Sequence, residues 1–180
     1  MAQSRSVLLS ADDVRRAISR IAHEIVERDR DLSALAIIGI RKRGDILAGR
    51  VRDAIRTHEN ATVPLGSLDI TLYRDDLTTI APNPVVKPTK FPEPINDKVV
   101  VLVDDVLYTG RTVRAALDAL VDFGRPKRVM LAVLVDRGHR ELPIHADVIG
   151  KTVPTDADEV IKVKLAETDD GEDEVLLMEK

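Results

Sequence analysis

The sequence predicts an α/β fold, a mostly parallel twisted sheet with helices on both faces. Leu35–Ile38, Val99–Val103 and Val129–Val135 are apolar runs without polar alternation, as strands covered on both faces require. The first two lead through glycine-bearing loops into stretches whose apolar residues recur at helical spacing. A chain of 180 residues with 44% hydrophobic content buries one such core and is short for two, so residues 1–180 read as one domain.

Taken in order, Ser10-Ala-Asp-Asp resembles a capping box, and Val14, Ile18, Ile21 and Ile25 mark one apolar helical stripe through about Glu27. Its opposite side carries Arg16, Ser19, Arg20 and His23, which by pattern alone is a solvated face. Leu35–Ile38 is followed by Gly39-Ile-Arg-Lys-Arg-Gly44 and a helix to about Arg56, with Ile46, Leu47, Val51 and Ile55 inward. Three cations in so tight a loop repel one another unless an anion sits between them; an exposed turn with ordinary surface cations is the alternative. A strand around Gly66–Tyr73 leads to Arg74-Asp75-Asp76 and a segment to about Lys98 that contains Pro82, Pro84, Pro88, Pro92 and Pro94. Such a segment reads as a mobile lid over residues 73–98, or as a solvated hairpin.

Val99–Val103 ends at Asp104 and Asp105, and a helix follows from Thr112 with Val113, Ala116, Leu117, Leu120 and Val121 at helical spacing, stopped by Gly124 and Pro126. Val129–Val135 ends in the polar cluster Asp136–Pro143. After Lys151 the chain alternates over Val160–Leu165 and Val175–Met178, a terminal hairpin around Asp169-Asp-Gly-Glu. If the strands are parallel, three polar clusters converge on one sheet edge, where open α/β sheets bind ligands.

The stretch Val99–Thr112 is the most informative. Ionised carboxylates are pure acceptors, and a ribose offers two neighbouring hydroxyl donors that need acceptors side by side. The loop after Asp104 and Asp105 opens a helix, whose first N–H groups bind anions, and Gly110 permits close backbone approach. No Gly-Lys-Ser/Thr follows, and the loop holds one glycine, so neither a nucleotide-triphosphate loop nor a dinucleotide fingerprint is present. An isolated Asp-Asp pair serves equally well as a helix cap.

Composition narrows the classes further. Without cysteine there is no disulfide framework, thiolate metal site or thiol nucleophile. The apolar run Val7–Leu9 is too short for a signal peptide and no later run reaches transmembrane length, so a cytoplasmic protein is expected. The net charge of −4 is uneven: residues 156–180 carry ten acids and three bases, the rest 21 acids and 24 bases. Aromatic residues are confined to Tyr73, Phe91, Tyr108 and Phe123, so RNA binding would rest on charge and shape rather than stacking.

Residues 100–112, Val100-Val101-Leu102-Val103-Asp104-Asp105-Val106-Leu107-Tyr108-Thr109-Gly110-Arg111-Thr112, resemble the phosphoribosyl pyrophosphate signature of type I phosphoribosyltransferases. Leu72–Leu77, Leu120–Pro126 and Leu131–Ile144, with its Asp-Arg-Gly-His-Arg-Glu-Leu-Pro segment, extend the resemblance over almost the whole chain to the PyrR family. Its members are bifunctional pyrimidine operon attenuation regulators and uracil phosphoribosyltransferases. The resemblance implies the type I phosphoribosyltransferase fold, with a small hood and terminal hairpin over about 136–180 and the lid named above. It implies conversion of uracil and phosphoribosyl pyrophosphate (PRPP) to UMP and diphosphate, with Mg²⁺ held mainly by PRPP rather than by protein ligands.

Matched by motif, Asp104 and Asp105 hold the ribose hydroxyls and Thr109 to Thr112 the 5′-phosphate. Arg41, Lys42, Arg43 and Gly44 border pyrophosphate, with Arg43 counted as catalytic beside the two aspartates. Arg74 arrives with the lid, and the base lies near Asp136, Arg137 and Gly138. The resemblance also implies a homodimer or higher homo-oligomer, UMP or UTP as regulatory ligands, and binding of the pyrimidine operon leader mRNA. Family members carry Thr, His, Arg, Arg and Lys where this chain has Ser19, His23, Arg140, His145 and Lys151. His145 replaces a permanent cation, Asp156 an uncharged residue, and Lys42 a common Thr, changes that weaken RNA binding more than catalysis. An RNA-binding nucleotide sensor with little catalysis, or a phosphoribosyltransferase for another base, are the competing readings.

Overall fold

Two carboxylates end up inside the central strand because everything around them is a parallel sheet. A computed structural model describes residues 5–80, 82–91 and 93–180. Met1–Ser4, part of the segment read for a leader, and Ala81 and Pro92 of the lid reading lie outside the described residues. The chain runs β1 (Arg5–Leu9), α1 (Ala11–Arg28), β2 (Leu35–Ile40), α2 (Arg43–Glu59), β3 (Leu65–Leu68), a short α3 (Leu77–Ile80), β4 (Val99–Leu107) and α4 (Arg111–Val121). It continues through β5 (Arg128–Asp136), β6 (Val148–Thr152), β7 (Glu159–Lys164) and β8 (Glu174–Glu179). Five strands form a sheet in the order β3-β2-β4-β5-β6, every pair parallel. The other three form an antiparallel sheet in the order β1-β8-β7.

The helices form where capping and apolar spacing agree. The Ser10 hydroxyl accepts from the Asp13 amide at 3.3 Å while the Asp13 carboxylate accepts from the Ser10 amide at 3.0 Å, the reciprocal cap expected of that tetrad. Val14, Ala17, Ile18, Ile21, Ala22 and Ile25 are the buried face of α1. Along the sheet, Leu35, Ile37, Val99, Val101, Val103, Met130 and Ala132 pack with α1 and α2. Their sequence neighbours Ile38, Ile40, Val100, Leu102, Leu131 and Val133 pack with α4 on the other face. Each such large side chain, fully buried, contributes roughly 1.5–3 kcal/mol, so the sandwich rather than helix propensity holds the strand ends in place.

Four details depart from the sequence reading. First, β4 continues past Val103 to Leu107, pairing Asp104 with Val133 and Val106 with Val135, so the two acids lie within the strand and not after it. Secondly, β3 stops at Leu68 because Asp69 turns the chain, its carboxylate accepting from the Thr71 amide at 2.8 Å. Thirdly, Val148–Thr152, inside the span read as hood, is the edge strand of the parallel sheet. Finally, the terminal hairpin is joined by β1, whose three-residue apolar run Val7–Leu9 is too short to announce a strand. No helix among the described residues is long and apolar enough to cross a membrane.

The start of α2 abuts the two central strands so closely that only glycine fits. A Cβ at Gly44 would overlap the Val103 carbonyl oxygen, and one at Gly39 the backbone of Asp45. Gly49, also in α2, is different, since its Cβ would meet only a Leu65 methyl at 3.8 Å. Gly44→Ala is therefore expected to lower stability by about 1–3 kcal/mol, and Gly49→Ala to raise it by about 0.5–1 kcal/mol. Thermal melts of the two variants check this contrast, and a Gly44→Ala protein as stable as wild type contradicts the packing described.

Candidate active site

The carboxyl ends of β2 and β4, with the segment after β3, enclose a cavity of about 420 Å³. Among its lining residues are Arg41, Lys42, Arg43, Arg74, Lys87, Asp69, Asp104, Asp105 and Thr112, five cations against three acids. A smaller cavity of about 210 Å³ adjoins it, sharing Arg74 and Thr112 and adding Asp75, Asp76, Thr109 and Arg111. Residues from three separated stretches of sequence thus meet at one sheet edge, as parallel strands require.

Asp104 is the chemical centre. It is buried at 7% exposure, and desolvation pushes its carboxyl well above the usual carboxylate range, with the Asp105 charge adding to the effect. The Asp105 amide donates to Asp104 Oδ1 at 2.9 Å and offsets part of this. Asp105 in turn accepts from the Val106 amide at 2.8 Å. Two adjacent acceptors inside a strand are an unfavourable arrangement for the protein alone and a favourable one for a ligand with paired hydroxyl donors.

The basic loop has the features that suit an anion. Lys42 precedes the first turn of α2 with no side-chain cap, so its early amides remain for a ligand, and the helix dipole favours negative charge there. Arg41 donates through Nη2 to the Ser67 hydroxyl at 3.1 Å and lies 3.7 Å from Asp45, yet its buried Nε has no partner among the described residues. An orphaned buried donor of this kind points to a missing acceptor. Arg43 donates through Nε and Nη2 to the Asp169 carboxylate at 3.3 and 2.9 Å. The Arg41–Lys42 peptide is cis.

After β4, Tyr108 to Gly110 turn into α4, with Gly110 at φ +92°, a conformation that L side chains rarely adopt. The loop is laced to the following segment: the Thr109 carbonyl accepts from the Glu141 and Leu142 amides at 3.0 and 3.2 Å, and Arg140 donates to the Tyr108 carbonyl at 2.6 Å. Arg111 pairs with Asp75 at 2.5 Å and with Glu141 at 2.8 Å.

Asp69, Thr71 and Lys87 belong to the cavity and escaped the sequence reading. Burial pushes the Asp69 carboxyl up, but the Thr71 hydroxyl and amide, the Lys87 amide at 2.7 Å and the nearby Arg41 charge together hold it below the usual range. The carboxylate ties residues 71 and 87 together, and an antiparallel bridge joins Ser67 to Lys90, closing the base of the lid segment. The available signal was Asp-x-Thr, a local carboxylate–hydroxyl turn after an apolar strand.

Of the residues read as lying near the base, Asp136 and Arg137 have side chains engaged within the protein. Asp136 uses one oxygen for the Gly138 amide at 3.0 Å and the other for Arg140 at 2.7 Å. Arg137 is buried at 4% exposure, lies 3.9 Å over the Tyr108 ring and donates to the Thr155 hydroxyl and the Glu159 carbonyl. Neither side chain lines the cavity. At Gly138, φ +76°, the space beside the backbone is open.

Of the five residues matched to RNA contacts, Ser19 and His23 converge on His58, at 3.2 Å from Ser19 Oγ and with the two rings 4.3 Å apart. Lys151 donates to the Leu8 carbonyl at 3.0 Å. His145 borders a cavity of about 200 Å³ beside α4 with Leu117 and Pro143. Arg140 is committed inward, to Asp136 and to the Tyr108 and Ile144 carbonyls.

A parallel sheet whose strand ends gather adjacent carboxylates, a basic helix start and a glycine-opened loop at the head of α4 is the arrangement of the phosphoribosyltransferase class, and a family model for the phosphoribosyl transferase domain matches residues 5–168. Two curated proteins, each called Bifunctional protein PyrR, give the finer placement. The chain is 56% identical to that of Pelotomaculum thermopropionicum, covering 99% of this chain and 98% of the relative, and 58% identical to that of Thermus aquaticus, covering 98% and 97%. The chain belongs to the PyrR family of phosphoribosyl transferase domain proteins. Among solved structures, a hypoxanthine-guanine phosphoribosyltransferase of Bacillus anthracis superposes with a TM-score of 0.72 at 19% identity, covering 97% of this chain and 98% of the other. A hypoxanthine phosphoribosyltransferase of Trypanosoma cruzi gives 0.73 at 17%, covering 99% and 93%. Both are likenesses of fold alone.

The raised Asp104 carboxyl carries a stability cost with a defined sign. A group whose folded pKa exceeds its unfolded 3.8 destabilises the protein increasingly as the pH climbs from that value toward the folded one. Asp104→Asn is therefore expected to raise Tm by several degrees at pH 7.5, corresponding to roughly 1–3 kcal/mol. The gain should vanish near pH 4. A variant less stable than wild type at pH 7.5 contradicts the reading of Asp104 as an uncompensated acid.

Proposed function

We propose that the protein is a uracil phosphoribosyltransferase that also binds its pyrimidine operon leader RNA in a uridine-nucleotide-dependent way, and that Asp104, Asp105, the 41–44 loop and the 109–112 loop form its PRPP site. The supporting observation is the pair of adjoining cavities: one rich in cations, one at the start of α4, with Asp104 and Asp105 lining the larger. PRPP has that sequence of parts, a pyrophosphate and a 5′-phosphate flanking a ribose diol.

In this reading, Asp104 and Asp105 accept hydrogen bonds from the ribose hydroxyls, and the Thr109–Thr112 amides and hydroxyls donate to the 5′-phosphate. As the bond from C1′ to pyrophosphate breaks, positive charge grows on the ribose and negative charge on the leaving group. The carboxylates face the first, while Arg41, Lys42, Arg43 and Arg74 face the second. Uracil attacks C1′ from the side of residues 136–138, where backbone groups beside Gly138 read the base edge while Asp136 and Arg137 brace the loop. The lid over 73–98 closes from Asp69 and excludes water.

Mg²⁺ fits this donor set. No group of three His, Cys, Asp or Glu among the described residues forms a metal cage, and Mg²⁺ is commonly held by substrate phosphates with one or two carboxylates, for which Asp104 and Asp105 are suited. When bound with PRPP it neutralises pyrophosphate charge.

Purified protein with uracil, PRPP and Mg²⁺ is expected to form UMP, and Arg43→Ala to lower kcat/KM for PRPP by about 10²–10³. Absence of UMP from the wild-type protein, or a preference for orotate or a purine, overturns the enzyme assignment.

For the regulatory half, Ser19, His23, Arg140, His145 and Lys151 are proposed as RNA contacts in a homodimer or larger assembly of a cytoplasmic protein, with UMP or UTP as the signal. Arginine at position 145 would supply a permanent cation with a planar fork suited to phosphate. His145→Arg is expected to strengthen leader binding and steepen its log–log salt dependence by about 0.7–0.9 per phosphate contact added. No leader binding with UMP at low salt contradicts retained regulation.

A further inference from the structure

The acidic C-terminal segment has no part in the assignment above, yet it reaches the site. Asp169 lies in the turn between β7 and β8 and meets Arg43, which lines the larger cavity. We propose that Asp169 is a positioning residue for Arg43, holding its guanidinium by Nε and Nη2 while Nη1 stays available to the pyrophosphate of PRPP. The inference rests on the phosphoribosyltransferase reading and deepens it.

The arrangement is built on both sides of the ion pair. Asp169 Oδ2 also accepts from the Leu165 amide at 2.9 Å and the Thr168 hydroxyl at 3.0 Å, so the carboxylate is fixed to its own turn before it meets Arg43. The Arg43 hydrogen bonds, the Leu165 amide and the Thr168 hydroxyl bring its pKa down to about 2, and it stays ionised throughout the working range. Nη1 of Arg43 has no hydrogen-bond partner among the described residues.

A second pair docks the same turn two helical turns further along α2. Arg50 donates to Glu167 at 2.9 Å through Nε and to Asp173 at 3.0 Å through Nη2, and Asp173 accepts the Ala166 amide at 2.9 Å. Residues 43 and 50 share one face of α2, so the turn is fastened at two points, and only the first touches the cavity.

Orientation outweighs neutralisation here. A free arginine loses rotamer entropy when its fork is fixed, whereas a partly exposed counter-charge weakens its field only modestly. A pre-aimed Arg43 therefore binds the leaving group more tightly than an untethered one.

The test compares Asp169→Asn, Asp169→Glu and Glu167→Gln with the wild-type full chain, by calorimetric titration of inorganic pyrophosphate in excess Mg²⁺ and by steady-state kinetics. Asp169→Asn is expected to weaken pyrophosphate binding and raise KM for PRPP about fivefold to tenfold. KM for uracil should stay within about twofold, and Asp169→Glu should recover most of the loss. Glu167→Gln, which loses an Arg50 contact, is expected to lower Tm without changing pyrophosphate affinity. Unchanged or tighter pyrophosphate binding by a folded Asp169→Asn protein, or equal rises in both KM values, overturns the proposal. If that variant does not fold, exchange of the Arg43 Nε proton in the wild-type protein decides: protection that persists with pyrophosphate supports positioning, and its loss or absence overturns it. If wild-type protein makes no UMP, the enzyme reading falls, while the pyrophosphate titration still tests Asp169.

Discussion

The buried carboxyl of Asp104 is the constraint to which the surrounding architecture answers. A central strand covered on both faces is the least hospitable place for an acid, and β4 carries two in succession. Among the described residues no cation is paired directly with Asp104, whose carboxylate accepts from the Asp105 amide. The strand tolerates this because Val99–Val103 is clamped by β2 and β5 and by helices on both sides, so the local cost does not unravel the sheet. Gly44 completes the geometry by letting the first turn of α2 reach the Val103 carbonyl, which sets the basic loop directly beside the acids.

The cations of the site share one solution to a common problem. Held together without an anion, they would repel, and several therefore have a carboxylate nearby: Asp45 near Arg41, Asp169 at Arg43, Asp76 at Arg74, and Asp75 with Glu141 at Arg111. Such half-exposed pairs are worth little, about 0–1 kcal/mol each, so a multiply charged phosphate can displace or share them. The exception is Asp169, whose carboxylate is fixed to its own turn and can remain in place beside a bound anion.

The fold was legible because periodicity reports burial directly: the uninterrupted runs at Leu35, Val99 and Val129 are strands of the parallel sheet. Length was legible less well. β4 outlasts its apolar run, since ladder pairing with β5 holds Asp104 in the strand whatever its polarity. β6 is invisible in the pattern because only Val148 and Ile149 are apolar among its five residues, and β1 because its pairing with β8, which sets Arg5 opposite Met178 at the far end of the chain, is a tertiary choice. At the site, Arg41 to Arg43, Asp104, Asp105 and Thr112, which the motifs singled out, line one cavity. Asp69 and Asp169 were not foreseen, since their roles depend on contacts 18 and 126 residues away. Arg137 was read as lying near the base, and what sequence position does not tell is that its guanidinium braces β7 and caps the Tyr108 ring.

The most direct test of this account is a carboxyl ¹³C titration of Asp104 with and without UMP. The expected result is a pKa above the ordinary carboxylate range in the free protein, falling when the ribose hydroxyls donate to the ionised form. An ordinary pKa in the free protein, or one that nucleotide leaves unchanged, contradicts the claim that the buried carboxyl of Asp104 is what the ribose completes.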